Sequence, residues 1–306
     1  MTMTMTPSQT DRASRIAAAD RPRSTSSSSS ASSNATVARR AVALSFAACL
    51  LSSSSPTSSP SFFCYADDST ARDDTSSSFT RNILFDLFHS TKGLDWTNSQ
   101  DWLQQNADVC DWHGVGCYTD ASTSDRRKVG QVQELDLSSN RLVGTVPTEV
   151  FDLPYLEKLI LEDNPDVDVD LSGLRKAQHL TELSLSKTRV SNIDNIGDAL
   201  NLQVLRITDL KIRGRLPDSL FTLVDLTGLY ANYNSFSGNI PTNIGRLNKL
   251  EALYLYDSDL TGQIPSDIGR LTLLEILTLT NNALTGSLPQ ELEEMSNLQV
   301  VAIQQT

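Results

Sequence analysis

The sequence predicts an α/β solenoid: a right-handed superhelix with a parallel inner β-sheet and a small helical N-terminal cap. Three observations carry that expectation. First, LEALYLYDSDLTGQIPSDIGRLTL from Leu250 lines up residue for residue with the stretches beginning at Leu226 and Leu274, a period of about 24 residues. A fixed period of this length marks stacked coils, none of which can bury its apolar face alone. Second, each coil opens L-x-x-L-x-L, and alternation at the last step is strand chemistry, sending alternate side chains into the core. Third, G-x-[IVL]-P recurs in register at Gly144–Pro147, Gly214–Pro217, Gly238–Pro241, Gly262–Pro265 and Gly286–Pro289. There Gly permits a backbone turn and Pro punctuates it.

Taken in order, residues 1–66 read as a low-complexity segment ending in a secretory signal. The Thr/Ser/Arg/Ala opening lacks the apolar surface to offset chain entropy. Arg39-Arg40 then precedes the apolar run Ala41–Leu51, and small residues end at Ala66. The run is too short to span a bilayer, which needs ~20 apolar residues. An organelle transit segment or a membrane anchor is the alternative reading. Residues 67–78 are a polar linker. Over residues 79–131 a cap is expected, in which Phe79–Thr91 forms a helix with Ile83, Leu84, Leu87 and Phe88 on one face. Trp96, Trp102 and Trp112 fill the cap as a small core rather than forming a ligand cage.

Seven coils occupy 132–297, starting at Val132, Leu156, Leu180, Leu202, Leu226, Leu250 and Leu274, and an eighth opens at Leu298. Asn140, Asn164, Asn234 and Asn282 fall where a side chain turns inward, and an amide there can satisfy backbone groups of adjacent coils. Thr188 and Ser258 can do part of that work, and Leu210 cannot. The second coil lacks the G-x-I-P element and the third is about two residues shorter, so a local change in curvature is expected near residues 164–200. Val190, Ile193 and Ile196 keep an inward rhythm there. Asp166, Asp168 and Asp170 suggest a calcium loop, but Leu171 and Ala177 stand where Gly and Glu are required, so a solvated acidic loop is expected. At Val301 and Ile303 the eighth coil would leave an apolar end and an open strand edge. Either the molecule pairs through this end or the sequence is an incomplete product.

The cap carries a specific motif, Cys110-Asp-Trp112-His-Gly114-Val115-Gly-Cys117. It matches C-x-W-x-G-V-x-C, and with the five G-x-[IVL]-P copies it resembles the plant-type leucine-rich repeat (LRR) proteins, a family that includes receptor-like proteins and polygalacturonase inhibitors. The resemblance covers roughly residues 79–306 and implies an α/β leucine-rich repeat solenoid. It further implies a disulfide between Cys110 and Cys117, hence an oxidising compartment and a secreted or cell-surface location.

Charge and motifs narrow the function. Residues 1–66 carry six Arg against two Asp, a net +4, which leaves −16 on the remainder of a chain whose total is −12. That acidity argues against nucleic acid as a partner, since phosphate backbones need clustered Lys and Arg. No nucleophile–base set, phosphate loop, metal spacing or kinase signature is present, so no enzyme activity, cofactor or metal is expected. Function is sought on the concave face. One outward column there reads Asp136, Ile160, Ser184, Arg206, Tyr230, Tyr254, Thr278, and the next Ser138, Glu162, Ser186, Thr208, Asn232, Tyr256, Thr280. Beside them run Asp163, Lys187, Asp209, Tyr233, Asp257 and Asn281, so that Tyr230, Tyr233, Tyr254 and Tyr256 cluster, flanked by Arg206, Asp209 and Asp257. Tyr and Arg dominate binding hot spots, so these seven form the candidate ligand-binding set. The reading is a non-catalytic module for a protein or peptide ligand, receptor-like, outside the cell or at its surface. A secreted inhibitor of a cell-wall hydrolase and a structural surface or matrix protein are the alternatives. Membrane association is open only through residues outside the repeats.

Overall fold

The computed structural model describes residues 75–304 except Gln105. The signal-like segment, and with it Cys49 and Cys64, lies outside the described residues. Helix α1 spans Thr75–Ser90, so it opens inside the stretch expected to be linker. Short polar residues are at home there, because the first helical turn has no intrahelical acceptors for its N–H groups and can stay solvated. Its apolar face is the one expected: Ile83, Leu84, Leu87 and Phe88 are buried.

Nine strands form the long sheet. Strand β1 (Val115–Cys117) comes from the cap and pairs antiparallel with β2 (Val132–Asp136). Every later pairing in this sheet is parallel, running through β4 (Lys158–Ile160), β6 (Glu182–Ser184), β8 (Val204–Arg206), β10 (Gly228–Tyr230), β12 (Ala252–Tyr254), β14 (Ile276–Thr278) and β16 (Val300–Ala302). The L-x-L phase holds throughout. Leu253 and Leu255 are fully buried, whereas Tyr254 between them is part exposed. Leu135, Leu159, Leu183, Leu205, Leu229 and Leu277 repeat the inward position and are also fully buried.

From the first coil to the seventh, each returns through a second short strand and a 3-10 turn. The second strands make two separate sheets. One contains β3 (Val143–Val146), β5 (Asp166–Val169) and β7 (Arg189–Val190); the other contains β9 (Arg213–Gly214), β11 (Ser235–Asn239), β13 (Asp259–Gly262) and β15 (Ala283–Leu284). The break falls between the third and fourth coils, next to the short third coil. A cleft of about 450 Å³ opens there between Val190–Asp194 and Lys211–Arg215. Asp166 and Asp168 lie on β5 with Val167 and Val169 buried between them. The acidic segment is therefore a strand rather than a loop, because the two valines supply the period-2 alternation that a sheet needs. All five glycines of the G-x-[IVL]-P element have positive φ, and the following proline leads into a 3-10 turn. At Gly144 a Cβ would stand 2.1 Å from the Ser90 carbonyl oxygen, so the end of α1 seats directly on that turn.

The asparagine ladder does the work expected of it. Asn164 donates to the carbonyls of Leu137 and Leu161 and accepts from the Asn140 and Leu142 amides. Asn234 does the same for Ile207, Ala231, Leu210 and Ile212. Asn140 reaches backward instead, exchanging two hydrogen bonds with the Asn98 backbone and so tying the cap to the first coil. The substitutes fall short. Thr188 donates only within its own turn, to Leu185, and the buried Ser258 hydroxyl makes no hydrogen bond. At these two positions neither hydroxyl reaches the neighbouring coil as the asparagine amide does.

Candidate functional site

Cap and sheet together fix what the open face of the long sheet presents. Cys110 and Cys117 are disulfide-bonded. Phe88, Trp96, Trp102 and Trp112 pack ring on ring with centroids about 5–6 Å apart and are buried, so the tryptophans form a filled core with no cage for a ligand.

Strand register aligns Ser184, Arg206, Tyr230, Tyr254 and Thr278 across adjacent strands, the column read from the repeat. Within it the Arg206 guanidinium lies 4.9 Å from the Tyr230 ring centroid, and Tyr230 stacks on Tyr254 at 4.9 Å with planes 17° apart. Tyr254 meets Tyr256 at 6.4 Å, and Tyr256 meets Tyr233 edge-on at 5.1 Å. Four tyrosines and one arginine thus form a single contiguous chain over coils four to six. Tyr233 is the outermost, 52% exposed. Each such contact contributes about 0.5–1.5 kcal/mol, which favours this arrangement of the rings before any ligand arrives.

Three features of this site escaped the sequence reading. The column holding Asp163, Lys187, Asp209, Tyr233, Asp257 and Asn281 is left-handed throughout, with φ between 51° and 58°. No glycine marks it, so composition gives no warning. In this column Asp209 pairs with Lys211, Asp257 accepts from Asn281 at 2.7 Å, and Lys187 pairs with Asp163 at 2.7 Å. The hydrogen bond to Asp163 raises the Lys187 pKa, with burial opposing it. Second, Arg206 is held by Glu182. Third, Tyr230 folds back over Gly228, where an added Cβ would lie 3.0 Å from its ring. The repeat did hold a signal for the charge pairs. Glu134–Lys158, Asp163–Lys187 and Glu182–Arg206 are each 24 residues apart in the chain. Ser184, placed in the exposed column, is instead 1% exposed and donates to Glu162.

A second polar cluster sits at the cap end of the face. Lys128 lies over the rings of Tyr118 and Tyr155 and 3.9 Å from Glu157. Burial pushes the Glu157 pKa up, but the facing Tyr118 hydroxyl, the Gln133 amide and the Lys128 charge outweigh it and hold the carboxyl below its usual range. Tyr118 faces Glu157 without full hydrogen-bond geometry, and burial pushes its own pKa up. Among the described residues no group of three or more His, Cys, Asp or Glu is placed to hold a metal ion.

Comparison with known proteins agrees with this architecture. A profile of leucine-rich repeat regions matches residues 150–306, and a single leucine-rich repeat profile matches 131–153. Receptor-like protein 50 of Arabidopsis thaliana is 30% identical over 133 residues, 43% of this chain and 12% of that protein's length. Among solved structures, the ectodomain of the Arabidopsis receptor kinase HAESA with an extended IDA peptide hormone superposes with a TM-score of 0.58 at 25% identity, over 76% of this chain and 42% of that one. The plant peptide hormone receptor RGFR1 in complex with RGF2 gives 0.50 at 28% identity, over 64% and 38%. A plant ice-binding protein shares the fold at 24% identity and a TM-score of 0.50, over 71% and 60%. The chain belongs to the plant-type leucine-rich repeat proteins. It spans only a fraction of the receptor-like relative and less than half of each receptor ectodomain.

Proposed function

We propose that this protein is a non-catalytic binding module that captures a protein or peptide on the open face of its long sheet, in receptor-like recognition outside the cell or at its surface. The observation that carries this reading is the continuous Arg206–Tyr230–Tyr254–Tyr256–Tyr233 ladder. A rigid aromatic run with polar tips is hot-spot chemistry. Of the structures named above, the HAESA ectodomain carries a peptide hormone ligand, and RGFR1 is a peptide hormone receptor in complex with RGF2. The Cys110–Cys117 disulfide fits an oxidising compartment, and among the described residues no helix is long and apolar enough to cross a membrane.

The test is capture of a partner from secreted material by the immobilised chain and by a Tyr230→Ala/Tyr254→Ala variant. Capture is expected to vanish in the variant while the melting temperature stays nearly unchanged. Undiminished capture, or a stability loss that matches the capture loss, overturns the reading. A hydrolase as the captured species would select the inhibitor role.

A further inference from the structure

Resting on that reading, we infer that the captured partner is a basic peptide, whose Lys or Arg side chain docks at the Tyr254–Tyr256–Tyr233 end of the ladder beside Asp257. Charge on this face is already sorted. The cations already placed on or beside it are each held by a carboxylate: Lys128 by Glu157 at 3.9 Å, Lys158 by Glu134 at 3.3 Å, Lys187 by Asp163 at 2.7 Å, Arg206 by Glu182 and Lys211 by Asp209. None of these is left to meet an anionic ligand. Three carboxylates, by contrast, hydrogen-bond to neutral groups. Asp136 accepts from the Ser138 amide, Glu162 from the Ser184 hydroxyl and Asp257 from the Asn281 side chain. A surplus of negative charge on a partly desolvated wall favours a cationic guest.

The ladder itself shows what its ring faces accept. At one end the chain's own guanidinium, Arg206, lies over Tyr230. At the other end the column continues from Tyr254 to Thr278, a side chain too short to lie over a ring as Arg206 does. Tyr254, Tyr256 and Tyr233 then turn relative to one another, with interplanar angles of 63° and 77°. Ring faces turned against one another beside a carboxylate suit an ammonium or guanidinium group, drawn to the ring quadrupoles. The Arg206–Tyr230 contact is thus repeated by the ligand one step further along.

The experiment selects peptides from a displayed random 12-residue library on the full-length chain with its disulfide intact, with Tyr230→Ala/Tyr254→Ala, Asp257→Asn and Asp257→Glu in parallel. Selected peptides should be enriched in Lys and Arg over the unselected library. They should bind Asp257→Asn about tenfold more weakly, keep most of their affinity for Asp257→Glu, and lose the tyrosine double variant. Tyrosine-dependent peptides that are neutral or acidic would overturn the inference and leave the binding reading standing. Basic peptides that bind every variant equally would overturn it as well, since they would report only the acidity of the whole chain. If no selected peptide depends on the tyrosines, the binding reading itself fails.

Discussion

Replacing Ser258 with asparagine should stabilise the solenoid, and the geometry of neighbouring coils says by how much. Ser258 occupies the ladder position of the sixth coil, is 8% exposed, and its hydroxyl has no hydrogen-bond partner. One coil earlier, Asn234 bonds the carbonyl 27 residues before it and the one three residues before it, and accepts from the amides 24 and 22 residues before it. The same offsets from 258 fall on the Ala231 and Leu255 carbonyls and on the Asn234 and Phe236 amides. Four bonds at roughly 1 kcal/mol each, less about 2 kcal/mol for ordering one amide side chain, leave a gain of about 2 kcal/mol. For a domain of this size that is a rise in melting temperature of about 4–8 °C. Thermal and urea melts of Ser258→Asn, Ser258→Ala and Asn234→Ala decide the matter. Ser258→Ala should be neutral because the hydroxyl bonds nothing, and Asn234→Ala should cost about 3 kcal/mol by orphaning buried backbone groups. If Ser258→Asn melts at or below the parent while Asn234→Ala falls as stated, the position does not share the ladder geometry and the offset argument is refuted.

The packing around Gly228 and the charge on Glu157 each set a further outcome. Gly228→Val should displace the Tyr230 ring, whose nearest atom would lie 3.0 Å from the new Cβ. It should reduce partner capture while holding or raising the melting temperature, since Val suits a strand better than Gly; unchanged near-ultraviolet tyrosine dichroism with full capture would contradict this. Glu157 is held below its usual pKa, so it contributes stability that is present above the ordinary Glu value and is lost as pH falls through the folded value. Glu157→Gln should therefore melt below the parent at about pH 7 and converge with it near about pH 3, and a constant gap across that range would rule the coupling out.

The period and phase of the fold were legible because burial enforces them. A one-residue slip would put Tyr254 in the core and Leu253 in water, so the L-x-L step admits one reading. The cap helix face and the inward asparagines were legible for the same reason: each is tied to a buried surface or to buried backbone groups. What stayed hidden is what burial does not dictate. The second-strand sheets lack a strong apolar repeat, and the left-handed column carries Asp, Lys, Tyr and Asn instead of glycine. That conformation is set by the turn out of the strand and by the hydrogen bonds around it, such as the Asp163, Asp209 and Tyr233 amides donating to carbonyls of the next coil.

The candidate site divides along the same line. Its residues could be named from register, but its order could not, because side-chain partners depend on coil length as well as period. Asp163 and Lys187 share a column, and their 24-residue offset equals the local coil length. Arg206 lies across the short third coil, where the register pairs it with Ser184, 22 residues back. Its 24-residue partner Glu182 is therefore reached on the diagonal. That two-residue deletion moves Arg206 off its own column's charge and aims its other face at Tyr230. The same short coil breaks the second sheet between β7 and β9, so one local shortening both interrupts the outer surface and starts the aromatic ladder on the open one.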